Sequence, residues 1–169
     1  MDLYEGIVSR RSVRRFTEQP VEKDIIEDVI KAAMYAPSAH NAREWEFVVV
    51  DDKALIEAIS ETSPYAKFAK SAPVVVVICG NTEKEKVAGF WVQDCSAAMQ
   101  NMLLAVHSKK MGATWCGIHP IADLEMAIQE LLELPGHIIP LGLCVMGYTE
   151  HSPRQPDRFE PEKIHYNKY

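Results

Sequence analysis

The side chains best suited to binding an anion are clustered near the start of the chain. Four arginines and a serine lie within six consecutive positions: Arg10, Arg11, Ser12, Arg14 and Arg15. Guanidinium groups are planar donors that match the geometry of a phosphate, and a serine hydroxyl adds a further donor. The cluster contrasts with the whole chain of 169 residues, whose net charge is −6. It therefore indicates a site for a phosphate-bearing ligand; a solvated loop or salt bridges between subunits are the alternatives.

A second candidate segment follows the point where a predicted helix stops at Pro37. Small and polar residues, including Asn41, lead from there to Trp45 at the start of a predicted strand. Such a loop can present backbone amides and the Asn41 side-chain amide to a flat heteroaromatic ring. A plain connection between a helix and a strand, with the indole as a core anchor, is the alternative interpretation.

A third candidate is the segment from Gly112 to Gly117, which is a short predicted strand. The amides of Cys116 and Gly117 are candidate donors, because ligands of open sheets bind beyond the carboxyl ends of strands; a buried strand end is the alternative. The sequence contains no glycine-rich dinucleotide loop, no phosphate-binding P-loop and no Gly-x-Ser-x-Gly motif. Since acid–base and nucleophilic side chains are not clustered either, catalysis would depend on a bound cofactor.

The four cysteines point to neither a metal site nor a disulfide framework. Cys79, Cys95, Cys116 and Cys144 lie far apart in apolar stretches, and none belongs to a Cys-x-x-Cys pair. The six histidines also lack the spacing of metal ligands. We therefore expect no metal and reduced, mostly buried thiols.

Hydrophobic periodicity predicts helices and strands that are interleaved along the chain. The predicted helices are one that opens behind Asp2, followed by Glu22–Tyr35, Ala54–Ile59, Phe90–Met111 and Leu124–Leu134. The predicted strands are Phe47–Val50, Val74–Cys79, Ala113–Cys116 and Leu141–Met146. Gly112 is expected to cap the longest helix, and Pro135-Gly136 to close the last one. This order predicts a mixed α/β or α+β fold with about four central strands.

Length and composition predict one folded domain over residues 1–147 and an extended tail over residues 148–169. The tail holds three prolines, which is typical of a disordered segment or of one laid across a partner; because it ends in aromatic residues, we expect it to dock on a partner. An apolar fraction of 47% excludes disorder of the whole chain. The longest apolar run, Ala72–Cys79, is too short to span a bilayer, and the N-terminus lacks a signal-peptide pattern. We expect a cytoplasmic protein without membrane or nucleic-acid partners.

Taken together, these motifs resemble the nitroreductase family of FMN-dependent flavoproteins, and its short members in particular. The matching segments are Arg10–Arg14, Ala36–Asn41 with Trp45, Trp91–Asp94, Gln100–Leu104, Gly112–Gly117, Gly147-Tyr148 and the tail around Arg158. The resemblance implies an α+β sandwich with a central, mostly antiparallel sheet of four to five strands flanked by helices. It also implies an intertwined homodimer, with FMN sites at the interface and the tail wrapped around the partner subunit.

The resemblance further implies which residues bind FMN. Those that would contact its phosphate and ribityl chain are Arg10, Arg11, Ser12, Arg14 and, from the tail, Arg158. Those in the loop that the partner subunit lays on the flavin are Pro37, Ser38, Ala39 and Asn41. Those at the strand end, where the last two amides approach flavin N5 and O4, are Trp115, Cys116 and Gly117. Lys67 would face the pyrimidine edge of the flavin.

The implied reaction is ping-pong. NADH or NADPH transfers a hydride to flavin N5, and a nitroaromatic, a quinone or a similar small acceptor then takes the electrons. No side chain is catalytic in this scheme, although the positive charge of Lys67 would stabilise the anionic reduced flavin. An FMN-dependent dehalogenase, a flavin-modifying enzyme and a non-catalytic flavin-binding module are the alternatives. The chain has Arg43-Glu44-Trp45 where the family commonly has Gln-Pro-Trp, a change that bears on substrate preference.

Overall fold

A four-stranded antiparallel sheet separates the helices of this protein into two layers. The computed structural model describes residues 2–169. Its strands are β1 (Trp45–Val50), β2 (Val74–Asn81), β3 (Gly112–Gly117) and β4 (Ile138–Gly147), and they are ordered β1-β2-β4-β3 across the sheet. Its α-helices are α1 (Leu3–Ser9), α2 (Lys23–Met34), α3 (Lys53–Glu61), α4 (Trp91–Ser108) and α5 (Ala122–Leu131). The α+β fold and the antiparallel four-stranded sheet are confirmed.

Strand β2 is buried along its whole length because helices cover both faces of the sheet. Side chains alternate between the faces of a strand, so the run of apolar residues feeds two separate cores. Val74, Val76 and Ile78 pack in the core beneath α2 and α4, together with buried residues of those helices. Val75 and Val77 pack in the core beneath α3 and α5. The predicted strand with two covered faces is confirmed.

Two helices end three residues earlier than the sequence predicts. Helix α4 stops at Ser108, and Lys110 adopts a left-handed conformation with a φ of 60°. The Met111 amide then bonds back to the Val106 carbonyl (3.2 Å), which closes the helix before Gly112 is reached. Gly112 is instead the first residue of β3, so its predicted role as the cap of α4 is wrong.

Helix α5 ends in the same way. It covers Ala122–Leu131, two residues earlier at its start and three earlier at its end than predicted. Glu133 has a φ of 53°, and the Leu134 amide bonds to the Gln129 carbonyl at 2.9 Å. The prediction that Pro135-Gly136 closes the helix is therefore wrong, because a left-handed glutamate has already ended it.

The arginine-rich segment is attached to the open edge of β3. Ser12 forms a parallel bridge with Ala113, and the Val13 amide donates to the Ala113 carbonyl at 3.0 Å. The Thr114 hydroxyl also donates to the Val13 carbonyl. A Cβ atom on Gly112 would lie 2.6 Å from Val13 Cγ1, so this close approach requires a glycine.

The C-terminal tail makes few contacts within its own chain. Side chains from residue 150 onward are exposed, apart from the half-buried Pro153, and the tail contains one short 3₁₀ turn, Pro161–Lys163. Its aromatic residues Phe159, Tyr166 and Tyr169 are also exposed. Within residues 2–169, no helix is long and apolar enough to cross a membrane.

Replacing Gly112 with alanine should weaken the attachment of the arginine segment. The added methyl group would push against Val13 Cγ1 at 2.6 Å and Thr149 Cγ2 at 2.9 Å. Overpacking of this kind costs about 1–3 kcal/mol, which urea unfolding followed by far-UV circular dichroism would measure. Gly136→Ala is the matched control, because nothing lies within 4 Å of its added Cβ. Equal unfolding midpoints for the two variants would contradict the requirement for a glycine at position 112.

Candidate functional site

Arg10 and Arg11 line a cavity of about 310 Å³ between α1, the C-terminal half of α4 and the start of the tail. The Nε atoms of both residues are buried and have no hydrogen-bond partner. Buried polar groups in folded proteins are nearly always satisfied, so two unpaired donors beside a cavity call for an acceptor. A ligand with several acceptor oxygens would supply it.

The positive charge of this cluster is not balanced by carboxylates. None of the arginines forms a salt bridge within residues 2–169. Burial lowers the pKa of Arg10, and the charges of Arg158 and Arg11 lower it further. Like charges are thus held together in a chain that is acidic overall, which favours binding of an anion.

The two neighbouring arginines have different tasks. Arg11 Nη1 donates to the carbonyls of Val8 (2.8 Å) and Arg10 (2.7 Å), and Nη2 contacts the Pro156 carbonyl at 3.4 Å. Its guanidinium therefore ties helix α1 to the tail. The Arg10 side chain makes no hydrogen bond to residues 2–169, which leaves its donors available for a ligand.

His107 belongs to this cavity, although nothing in the sequence indicated it. Its Nε2 atom lies 2.8 Å from the Ser9 hydroxyl, a contact between residues 98 positions apart. Burial lowers the pKa of His107, and the charges of Arg10 and Arg11 lower it further. The imidazole therefore stays neutral near pH 7 and adds no charge to the cluster.

A second cavity, of about 230 Å³, lies at the end of β3. Arg14, Trp115, Cys116 and Gly117 line it together with residues from the segment after α3, such as Phe68, and from the start of α5. The Arg14 guanidinium carbon is 5.8 Å from the centre of the Phe68 ring, a cation–π distance. Since Val13 and Ala113 line the first cavity while Arg14 and Thr114 line the second, one strand pairing positions both.

The edge position of β3 makes one of the predicted amide donors more available than the other. The Ile118 amide donates to the Leu141 carbonyl of the neighbouring segment at 3.0 Å. Amides alternate in direction along an antiparallel ladder, so Cys116 points its N–H toward β4 and Gly117 points its N–H toward the open edge. The Gly117 amide is therefore the better placed donor for a ligand beside β3.

The predicted loop residues lie elsewhere on the chain. The loop that follows α2 contains Pro37, Ser38, Ala39 and Asn41. None of them lines the first cavity, which is lined by Arg10 and Arg11 (the arginine cavity), or the second, at the end of β3 (the Trp115 cavity). The loop rests instead on the first turn of α4, where the Ala39 amide donates to Asp94 Oδ2 at 2.8 Å.

Lys67 and Arg158 lie beside the two cavities. Lys67 is exposed and begins the short 3₁₀ helix Lys67–Ser71. Its neighbours Ala66 and Phe68 line the Trp115 cavity. Arg158 is close enough to Arg10 to lower its pKa. Within one chain, the predicted residues thus line two cavities or belong to one separate loop, except for Ser12, Lys67 and Arg158, which line neither cavity.

The cysteines are free thiols, and their burial is confirmed. Cys79, Cys95 and Cys144 are buried, and Cys116 is half-buried. Burial raises the pKa of Cys116 to about 11 and that of Cys144 to about 12. A thiol at the cavity wall therefore stays protonated near neutral pH, which argues against Cys116 as a nucleophile. No cluster of metal-ligating side chains occurs between residues 2 and 169.

Comparison with known proteins identifies relatives along most of this chain. A model of the nitroreductase family matches residues 7–64 and 60–148. A Methanothermobacter thermautotrophicus protein, provisionally named NADH dehydrogenase/NAD(P)H nitroreductase, is 41% identical over 100% of this chain and 88% of its own length. Iodotyrosine deiodinase 1 of Rattus norvegicus is 42% identical over a match that covers 92% of this chain and 65% of that protein.

A solved structure extends the similarity to three dimensions. An FMN-dependent nitroreductase from Clostridium difficile R20291 has a TM-score of 0.91 and 28% identity, covering 99% of this chain and 100% of that one. The sequence match and the shared α+β architecture agree with the resemblance seen in the motifs. The chain therefore belongs to the nitroreductase family.

Proposed function

We propose that this chain is an FMN-dependent oxidoreductase that takes electrons from NADH or NADPH and passes them to a small organic acceptor, such as a nitroaromatic or a quinone. The observation that carries this proposal is the arginine cluster, whose buried donors lack partners beside a cavity. Family membership, with relatives named for NAD(P)H nitroreductase and FMN-dependent activity, supports it. Bound FMN would supply hydride transfer through its N5 atom.

The residues of the first cavity fit the phosphate of FMN. A phosphate carries about two negative charges and three acceptor oxygens, which matches a group of guanidiniums that repel one another. Arg10 would donate directly, and Arg158 would add charge from the tail. Arg11 would hold α1 and the tail in position through its backbone contacts. Ser12, which is exposed beside this segment, would add a hydroxyl donor.

The second cavity fits the ring system. Its walls combine apolar side chains with Arg14 and the half-exposed Trp115, as expected for a site that binds a flat heteroaromatic group. Gly117 would donate its edge amide, with Cys116 beside it. Lys67 would contribute positive charge next to this cavity, since it forms no salt bridge within residues 2–169.

A second copy of the chain would complete the site. The loop with Pro37, Ser38, Ala39 and Asn41 lies apart from both cavities of its own chain. A homodimer would allow this loop to cover the flavin bound by the partner, and the tail, residues 148–169, to wrap the partner's folded domain. Exposed apolar residues on α1, such as Leu3 and Tyr4, support such an association.

Reductive dehalogenation is the second candidate function. It is favoured by the 42% identity to iodotyrosine deiodinase 1, which is as high as the identity to the nitroreductase relative. In that reaction two electrons and a proton replace the carbon–iodine bond with a carbon–hydrogen bond, and iodide leaves. The cofactor site would be the same, so the two functions differ in the acceptor.

The protein should bind FMN and reduce it with a nicotinamide cofactor. Purified protein that is incubated with FMN and desalted should show the two visible flavin absorption bands, and anaerobic NADH or NADPH should bleach them. Adding a nitroaromatic, a quinone or iodotyrosine should restore the bands only for a true acceptor, and iodide release identifies dehalogenation. A colourless protein after desalting would contradict the proposal, and a bound flavin that neither cofactor reduces would indicate a non-catalytic flavin-binding module.

Arg10→Gln should weaken FMN binding through the phosphate alone. Charge-assisted hydrogen bonds contribute about 1.5–3 kcal/mol, so FMN affinity should fall roughly 10- to 100-fold in fluorescence titrations. Riboflavin lacks the phosphate, and its affinity should stay nearly unchanged. Arg15→Gln serves as the matched control, since Arg15 is exposed and lines neither cavity. An equal loss for both flavins would contradict the assignment of Arg10 to the phosphate.

Lys67→Ala should slow flavin reduction more than it weakens flavin binding. Removing a cation beside the ring site takes away stabilisation of the negative charge that develops there, and we expect a rate loss of roughly 10-fold. Anaerobic stopped-flow mixing with NADH measures that rate. Lys70→Ala, in the same short helix but away from the Trp115 cavity, is the control. A Lys67→Ala variant that is reduced at the parent's rate would refute this role.

A further inference from the structure

Glu44 is the least solvated acidic residue described in the structure. Its side chain is completely buried where the predicted flavin loop joins β1, and neither carboxyl oxygen has a hydrogen-bond donor. An ionised carboxylate in such a place would lose its hydration without compensation. The flavin interpretation of the site gives this residue no task.

Asp94, in the first turn of α4, is also buried and lies next to Glu44. Its Oδ2 atom accepts the hydrogen bond from the Ala39 amide at 2.8 Å, and its carboxyl is within hydrogen-bonding reach of Glu44. A carboxylate can only accept hydrogen bonds, so two carboxylates bond to each other only when one of them carries a proton. Two ionised carboxylates in one buried site are mutually repulsive.

The other groups around the pair do not neutralise it. Glu85 adds a third negative charge, while its Oε1 atom accepts from the Trp91 amide at 3.1 Å. Lys86 directs its ammonium to the His40 carbonyl at 3.0 Å, and the neighbouring Cys95 thiol is directed toward the Cys79 carbonyl. Within residues 2–169, no basic side chain forms a salt bridge with either acid of the pair. Burial raises the pKa of Glu44, the backbone amide of Glu44 offsets part of this rise, and Asp94 and Glu85 raise the pKa further.

The loop above the pair needs to be held in place. Three of its residues have left-handed backbone conformations: His40 at a φ of 52°, Asn41 at 52° and Arg43 at 51°. Such conformations are uncommon for residues other than glycine; Asn and His tolerate them best, so the cost is greatest at Arg43 and contacts must hold it there. The hydrogen bond from Ala39 to Asp94 is one of these contacts, and the bond from the Arg43 amide to the Ser38 hydroxyl (3.0 Å) is another.

We propose that Glu44 and Asp94 share one proton, and that this proton holds the strained loop of residues 38–43 in its binding conformation. Glu44 donates to Asp94, and the remaining negative charge of Asp94 accepts the Ala39 amide. Loss of the shared proton places two negative charges beneath the loop and weakens its anchor. Both acids are positioning residues, and their effect on cofactor binding rests on the proposed function, in which this loop contacts FMN.

The sign of the pH dependence follows from linkage. A carboxyl whose pKa is raised by folding binds its proton more tightly in the folded chain than in the unfolded one. Its stabilising contribution is complete below the ordinary pKa of glutamic acid and is lost as the pH rises toward the raised value. Glu44→Gln keeps the donor and the shape but cannot ionise, so this loss should be absent in that variant.

The first test compares the full chain and Glu44→Gln, without added FMN, between about pH 4 and about pH 9. The two melting temperatures should agree at the acid end, and the variant should melt about 2–4 °C higher at the alkaline end. Hydrogen exchange should show the protection of the Ala39 amide falling in the parent relative to Glu44→Gln as the pH rises. Protection of β2, which reports global unfolding, should differ between the two proteins only as far as their melting temperatures do.

Two further variants separate a shared proton from a general effect of charge. In Asp94→Asn the amide can accept from Ala39 and donate to an ionised Glu44, so the alkaline loss of loop protection should disappear. Glu46→Gln is the matched control, because Glu46 lies two residues further along, in β1, and pairs with Lys84 at 2.6 Å near the surface. Glu46→Gln should retain the alkaline loss of the parent.

The proposal is overturned if the parent and Glu44→Gln give the same melting and exchange profiles over the whole range. If the variant does not fold, an infrared spectrum of the parent near neutral pH tests the proposal instead. It should show the band of a protonated carboxylic acid, and the absence of that band overturns the proposal as well. FMN titrations then test the link to function: parent affinity should fall roughly 5-fold or more relative to Glu44→Gln at the alkaline end. If no protein retains FMN while the exchange difference persists, the proton-sharing pair stands and the proposed function fails.

Discussion

The attachment of residues 12–13 to the open edge of β3 is the constraint on which the site depends. Two backbone contacts and the Thr114 hydroxyl hold the arginine segment against that strand. The same pairing directs Arg10 to one cavity and Arg14 to the other. Gly112 allows the approach because Val13 occupies the space that a side chain would need. The sheet, with β2 buried between two layers of helices, provides the rigid support for this edge.

The strands and the fold class could be predicted because long apolar runs in a folded domain are buried in its core. The positions at which the helices end could not be predicted in the same way. Both α4 and α5 are followed, two residues after their ends, by a non-glycine residue with a left-handed backbone, Lys110 and Glu133, although a glycine lies close behind in each case. Gly112 is instead required at the strand edge, for a contact with Val13 almost a hundred residues away. Local signals rank the candidate caps, and tertiary contacts decide between them.

In the candidate site, too, local sequence features could be predicted and features set by tertiary contacts could not. The arginine cluster was evident because its charge contrasts with the rest of the sequence. The unequal tasks of Arg10 and Arg11 were not evident, since they depend on carbonyl groups of α1 and the tail. His107 was invisible for a similar reason, because its partner Ser9 is distant in the sequence. The loop of residues 37–41 resembled a ligand-binding segment, but a single chain does not bring it to either cavity, which is consistent with a site shared by two copies.

The two uncompensated groups of charges in this chain differ in how they can be neutralised. A guanidinium keeps its proton at every physiological pH, so the arginine cluster can be balanced only by an anion that comes from outside. A buried carboxyl can instead take up a proton, so Glu44 and Asp94 can be balanced by the solvent alone. The departure at Glu44 from the usual family sequence thus adds a proton-dependent element to the loop, while the anion site keeps its character. Since the proposed flavin site needs both the loop and the arginines, FMN binding in this member of the family would depend on pH through the loop as well as through the phosphate.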